Sequence, residues 1–98
     1  MNMHSEPHLE AVIEIGATGI RLLVAEVWED GSWSVIDRAE RALSLGRDVF
    51  TTGGISRESL IQCLAILNRY REILESWNVS DDHVIVVATS AIRESRNR

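Results

Sequence analysis

The run Ala11-Val12-Ile13-Glu14-Ile15-Gly16-Ala17-Thr18-Gly19-Ile20-Arg21-Leu22-Leu23-Val24-Ala25-Glu26-Val27-Trp28 decides how this chain folds. Two apolar stretches are separated by four small residues. The first, over residues 9–15, stops at Gly16 and reads as a buried strand. The second, over residues 20–28, is apolar at both parities, which predicts a central strand covered on both faces. Gly16-Ala17-Thr18-Gly19 is the turn between them. Next come Glu29-Asp30-Gly31-Ser32, with the Asp-Gly pair that favours tight hairpins. A third strand is expected over residues 33–43, with Trp33, Val35 and Ala39 on one side and Ser34, Ile36 and Arg38 on the other. Its polar content predicts a sheet edge.

Residues 44–55 break the pattern: Gly46 and Thr51-Thr52-Gly53-Gly54 make a loop. Ser56 is the N-cap candidate, and Glu58 follows in the first turn, where a carboxylate meets the positive end of the helix dipole. From there to Trp77 apolar residues recur at helical spacing. Leu60, Leu64, Leu67 and Leu74, with Ile61, Ala65, Ile73 and Trp77 alongside, oppose Arg57, Glu58, Asn68, Arg69, Glu72 and Glu75. This is an amphipathic helix of about six turns whose apolar stripe is core. Residues 78–82 form a turn-rich loop. His83-Val84-Ile85-Val86-Val87-Ala88 is apolar after its first position, so a strand buried on both faces is expected, parallel to its neighbour, with the helix as crossover. Thr89 and Ser90 then cap a last helix over residues 91–97. Three antiparallel strands, a crossover helix and a parallel strand open a ribonuclease-H-like α/β domain (β-β-β-α-β-(α)). It is expected to be incomplete, since at least one more strand belongs after the final helix.

The composition narrows the function classes. Ninety-eight residues suffice for one small domain or one lobe of a larger one. A 45% hydrophobic content supplies a core, and one proline with six glycines argues against disorder. The net charge of −5 excludes capture of nucleic acid by a broadly basic surface, so no DNA partner is expected. A phosphate site remains compatible with it, because backbone N–H groups and one or two arginines are enough to build one. Cys63, the one cysteine, excludes an intrachain disulfide and reads as a small packed side chain; such sparse use fits a reducing cytoplasm. No segment is long and apolar enough to span a bilayer, and no membrane partner is expected. Residues 1–9 read as a flexible leader and 10–98 as the domain. His4 and His8 offer metal ligands in that leader, although polar residues in a frayed terminus need no such role.

Two segments carry possible chemistry. In the first, Glu14 ends a strand, a small-residue turn follows and Arg21 enters the next strand. Gly16 and Gly19 let the backbone approach an anion, backbone N–H groups in such a turn can face phosphate oxygens, and Thr18 adds a hydroxyl. Glu14 offers the carboxylate oxygens a hard cation such as Mg²⁺ prefers. The same four residues also suit a plain tight hairpin. In the second, Thr89 and Ser90 leave a buried strand and enter a helix, with Arg93 one turn on. Free N–H donors at a helix start can hold an anion, or the hydroxyls simply cap the helix. Ligands collect at the carboxyl ends of parallel strands, where this turn lies.

Three stretches together resemble the exopolyphosphatase/guanosine-pentaphosphate phosphatase family: Glu14-Ile15-Gly16-Ala17-Thr18-Gly19-Ile20-Arg21-Leu22, then Leu45-Gly46-Arg47-Asp48-Val49-Phe50 with Gly54-Ile55-Ser56, and Ala88-Thr89-Ser90-Ala91-Ile92-Arg93-Glu94-Ser95-Arg96-Asn97. The family's first motif ends a strand with Asp-Ile-Gly-Ser-Asn-Ser and continues to Arg-Leu; its last, Ala-Thr-Ser-Ala with Arg-Glu-Ala and Asn, is nearly intact here. The resemblance implies an actin-like, two-domain fold and Mg²⁺-dependent hydrolysis of the terminal phosphoanhydride of polyphosphate or of guanosine pentaphosphate. It implies phosphate binding by Gly16, Ala17, Thr18, Arg21, Thr89, Ser90 and Arg93, with Glu14 in the place of the family's metal-binding aspartate. Glu14 is one methylene longer, Ala17 and Thr18 replace Ser and Asn, and Gly19 replaces Ser, so the first loop departs from the family pattern. The catalytic glutamate and a second glycine-rich loop are expected beyond Arg98. No catalytic residue is therefore assigned, and the 98 residues are expected to be inactive alone.

Two other classes fit part of the pattern. A sugar kinase of the same superfold would also use Glu-Ile-Gly-Ala-Thr-Gly as a phosphate loop, but residues 88–97 argue against it. A non-catalytic binding or assembly module would tolerate the changes at Glu14, Thr18 and Gly19. An unfinished sheet exposes strand edges, through which a homodimer can form.

Overall fold

The computed structural model describes residues 6–44 and 54–88. Within them the chain forms β1 (His8–Ile15), β2 (Gly19–Val27), β3 (Trp33–Ala42), the helix α1 (Arg57–Ser76), a one-turn 3₁₀ segment (Asp81–His83) and β4 (Val84–Ala88). The expected loop with Arg47 and Asp48 and the expected helix over residues 91–97 lie outside the described residues.

The sheet order is β3-β2-β1-β4. β1 and β2 pair antiparallel from His8↔Val27 to Ile15↔Ile20, and β4 runs parallel to β1 from Ala11↔Val84 to Ile15↔Ala88. The first strand starts earlier than expected. His8, one residue before the expected strand, already pairs with Val27, and Leu9 pairs with Glu26 as a strand residue. The β2–β3 hairpin closes at Gly31, whose φ of 89° suits glycine. The Asp30 carboxylate accepts from the amide and hydroxyl of Ser32.

β3 is an edge, as its polarity requires, but its faces differ from simple alternation. Val24 pairs with Asp37 and Ala25 with Val35, leaving Ile36 as an extra, bulged residue. The bulge reverses the parity. Ala39, opposite Leu22, therefore lies on the helix side, whereas Val35, opposite Ala25, lies on the other.

The core forms between one sheet face and α1: Ala11, Ile13, Ile20, Leu22, Val24, Leu43, Tyr70 and Leu74 are buried together. Ser56 caps the helix, its hydroxyl accepting from the Ser59 amide at 3.1 Å. The far end closes with Asn78 in the left-handed region (φ 59°), while the Asn78 and Val79 amides donate to the carbonyls of Glu75 and Leu74. The core stripe keeps only part of the expected row: Leu74, Leu67 and Ile73 belong to it, the others do not. Tyr70 and Leu74 are buried and Cys63, Ile66, Leu67 and Ile73 pack beside them, whereas Leu60, Ile61, Leu64 and Trp77 are exposed. Two stripes overlap at helical spacing, and the sheet takes the one containing Tyr70. Burial pushes the Cys63 thiol above its ordinary value.

β4 also departs from expectation. Ile85, Val86 and Val87 are 57%, 59% and 44% exposed, although every position from Val84 to Ala88 is apolar. The strand holds the outer position of the four-stranded sheet, where α1, which contacts β2, leaves it uncovered. No helix among the described residues is long and apolar enough to cross a membrane.

Candidate functional site

The turn between β1 and β2 is set by its ends. The Gly16 amide donates to the Gly19 carbonyl at 2.8 Å, and the Leu43 amide donates to the Thr18 carbonyl at 2.9 Å. Among the described residues, none accepts a hydrogen bond from the amide of Ala17 or Thr18. Two donors are thus left at a small-residue turn. Gly19 is needed there for space: a Cβ on it would lie 2.7 Å from the Arg41 carbonyl oxygen. One residue on, the buried Tyr70 hydroxyl donates to the Ile20 carbonyl at 2.7 Å and ties the turn to α1.

A cleft of about 200 Å³ opens at this turn, lined by Glu14, Gly16, Ala17, Thr18, Gly19, Arg21 and Glu40. Register explains why these residues meet. Glu14 pairs with Arg21 across β1 and β2, and Arg21 with Glu40 across β2 and β3, forming a row on the face opposite α1. Arg21 donates from Nη1 to Glu14 Oε1 at 3.3 Å and from Nε to Glu40 Oε2 at 3.2 Å. The pairs are exposed and of modest strength. The carboxylates of Glu14 and Glu40 and the Thr18 hydroxyl are hard oxygen donors, a set that suits Mg²⁺. Glu40 is the residue sequence reasoning missed. It becomes visible once the bulge at Ile36 is known, since that places Arg38 and Glu40 opposite Leu23 and Arg21.

The pairing Ile15↔Ala88 ends β1 and β4 at the same level of the sheet. The carboxyl ends of β1 and β4 therefore lie at one end of the sheet, the end that carries the Gly16 turn. Thr89, Ser90 and Arg93 themselves lie outside the described residues. Among the predicted residues, Glu14, Gly16, Ala17, Thr18 and Arg21 are brought together. A wider cleft of about 470 Å³ lies on the helix side, between β3 and α1, with Arg41, Gln62 and Arg69 at its walls. It does not include the β1–β2 turn.

Comparison with known proteins supplies the rest. Residues 23–98 match the model of the Ppx/GppA phosphatase family. The chain is 34% identical over 91 residues to exopolyphosphatase 2 of Mycobacterium tuberculosis, covering 90% of this chain and 28% of that protein. It is 33% identical over 95 residues to a bifunctional 3-dehydroquinate synthase/phosphatase of Fusobacterium nucleatum, covering 92% and 14%. Among solved structures, the Aquifex aeolicus Ppx/GppA family member superposes with a TM-score of 0.84 at 32% identity, over 93% of this chain and 29% of that one. An exopolyphosphatase from Cytophaga hutchinsonii gives 0.81 at 30% identity, over 92% and 28%. The chain thus spans less than a third of the length of these relatives. Their actin-like ATPase fold accounts for the mixed four-stranded sheet and its crossover helix. With the family model matching most of its length, the chain belongs to the Ppx/GppA phosphatase family.

Proposed function

We propose that this chain forms the N-terminal wall of the phosphate cleft of a phosphoanhydride hydrolase acting on inorganic polyphosphate or guanosine pentaphosphate in the cytoplasm. One observation carries the reading: two amides without an acceptor among the described residues, of Ala17 and Thr18, and a guanidinium, of Arg21, line one cleft at the sheet end where β1 and β4 finish in register. Donors of this kind suit the non-bridging oxygens of a phosphate chain. The relatives named exopolyphosphatase support the substrate class.

In this reading the Ala17 and Thr18 amides orient a phosphoryl group, and Arg21 exchanges its carboxylate partners for phosphate oxygens. Glu14 and Glu40 would hold Mg²⁺, which when bound neutralises phosphate charge. Thr89, Ser90 and Arg93 are proposed to close the same cleft from the β4 side. The carboxylate that activates water is proposed to lie beyond Arg98, so the 98-residue chain is proposed to bind without turning over. The test is phosphate release from polyphosphate and from guanosine pentaphosphate, with and without Mg²⁺, by this chain and by the longest reading frame containing it. Release by the longer protein, lost on Arg21→Ala, is expected. Release by the 98 residues alone, or ATP-dependent phosphorylation of a sugar by the longer protein, contradicts the reading.

A second reading, a binding module without catalysis, is favoured by the two carboxylates that already engage Arg21. It predicts phosphate binding by the longer protein with no hydrolysis.

A further inference from the structure

At the opposite end of β1 from the Gly16 turn, three side chains converge. His8 Nε2 lies 2.7 Å and His83 Nδ1 2.8 Å from the same oxygen, Glu10 Oε2. The His8 and His83 rings are 5.2 Å apart between centroids, tilted by 45°. The fold makes this meeting unavoidable. His8 and Glu10 are two apart on a strand and share a face. The parallel pairing Ala11↔Val84 sets His83, one residue before Val84, beside Glu10, one residue before Ala11.

We propose that His8, Glu10 and His83 form a binding site for a divalent transition-metal ion of the zinc class. Two imidazoles and a carboxylate are the donors that suit Zn²⁺ and its neighbours, whereas Mg²⁺ prefers oxygen alone. Their ligand atoms all lie within 4.8 Å of one another. Metal–ligand bonds of about 2.0–2.2 Å bring such a set around one ion through side-chain rotation. All three side chains are partly exposed, which gives an ion access and leaves room for water to complete a tetrahedron. The ion would fasten the start of β4 to the start of β1, joining chain segments far apart in sequence. Nothing in this arrangement involves the phosphate cleft.

The experiment is calorimetric titration of the 98-residue chain with ZnCl₂, in the absence and presence of excess MgCl₂, with thermal unfolding followed with and without EDTA. One Zn²⁺ per chain, a Zn²⁺ isotherm unchanged by excess Mg²⁺ and a Tm raised by Zn²⁺ are expected. His83→Gln and His8→Gln should each weaken Zn²⁺ by more than about tenfold, since even an outer partner of a metal ligand is worth about 10–100-fold. Far-UV circular dichroism checks that both variants fold. Arg21→Ala should leave the Zn²⁺ isotherm unchanged, which separates this site from the phosphate cleft. Absence of Zn²⁺ binding, or binding that survives both histidine substitutions, overturns the proposal.

Discussion

The Tyr70 hydroxyl donates to the Ile20 carbonyl at 2.7 Å, joining α1 to β2 one residue after the turn that lines the candidate cleft. Tyr70 is 1% exposed, so this is a fixed strut between core and site. Tyr70→Phe should cost about 1 kcal/mol, the net worth of one hydrogen bond, and Tyr70→Ala about 3–5 kcal/mol through the added cavity. Urea unfolding measures both. Burial, the first cause, raises the Tyr70 pKa above its ordinary 10.0. The unfolded tyrosine ionises first, so the stability held in the neutral phenol is complete below pH 10 and is lost as pH rises toward the folded value. Tyr70→Phe should remove that alkaline component.

Gly19→Ala places a methyl 2.7 Å from backbone, not from a side chain that can swing aside. The β2–β3 ladder must then part near Arg41. A loss of about 1–3 kcal/mol is expected, with altered amide shifts from Gly16 to Ile20. Unchanged stability would mean that the turn is not held against β3 as described.

Cys63 packs beside the core, and desolvation raises its thiol above the ordinary 9.0. Less thiolate is present at any working pH, and the thiolate is the nucleophile. Iodoacetamide should therefore modify Cys63 more slowly than free cysteine at pH 8, and urea should abolish the difference. Equal rates in the folded chain would contradict its packed position.

Glu40 competes with any anion for Arg21. Without metal, Glu40→Gln should tighten tripolyphosphate binding severalfold, because it removes a like charge beside the phosphate and frees one guanidinium donor. Weaker binding in the absence of metal would assign Glu40 to structure alone.

The strands, the helix and its Ser56 cap were legible because each rests on local pattern: apolar runs, turn residues and helical spacing. Sheet edges were less so. β4 reads as doubly buried because Val84 to Ala88 is wholly apolar, yet what lies beside a strand is a tertiary fact. Tyr70 was hidden in the same way. Its neighbours form a better-looking leucine row, and the hydroxyl's partner, Ile20, is fifty residues away in sequence. At the site, the small-residue turn was readable from glycine spacing. Glu40 was not, because a one-residue bulge at Ile36 reverses which side of β3 faces Arg21. His83 met Glu10 only through a parallel register that no local signal encodes.

The β1–β2 turn is expected to take a phosphate chain. Amide chemical shifts of the 98-residue chain, followed during titration with tripolyphosphate, decide this directly. Saturable shifts are predicted at Ala17, Thr18 and the Arg21 side chain, weakened about tenfold or more by Arg21→Ala, as expected for loss of a charged hydrogen-bond donor. Shifts confined to Arg41 and Arg69, in the cleft on the helix side, or no saturable shifts at all, would contradict it.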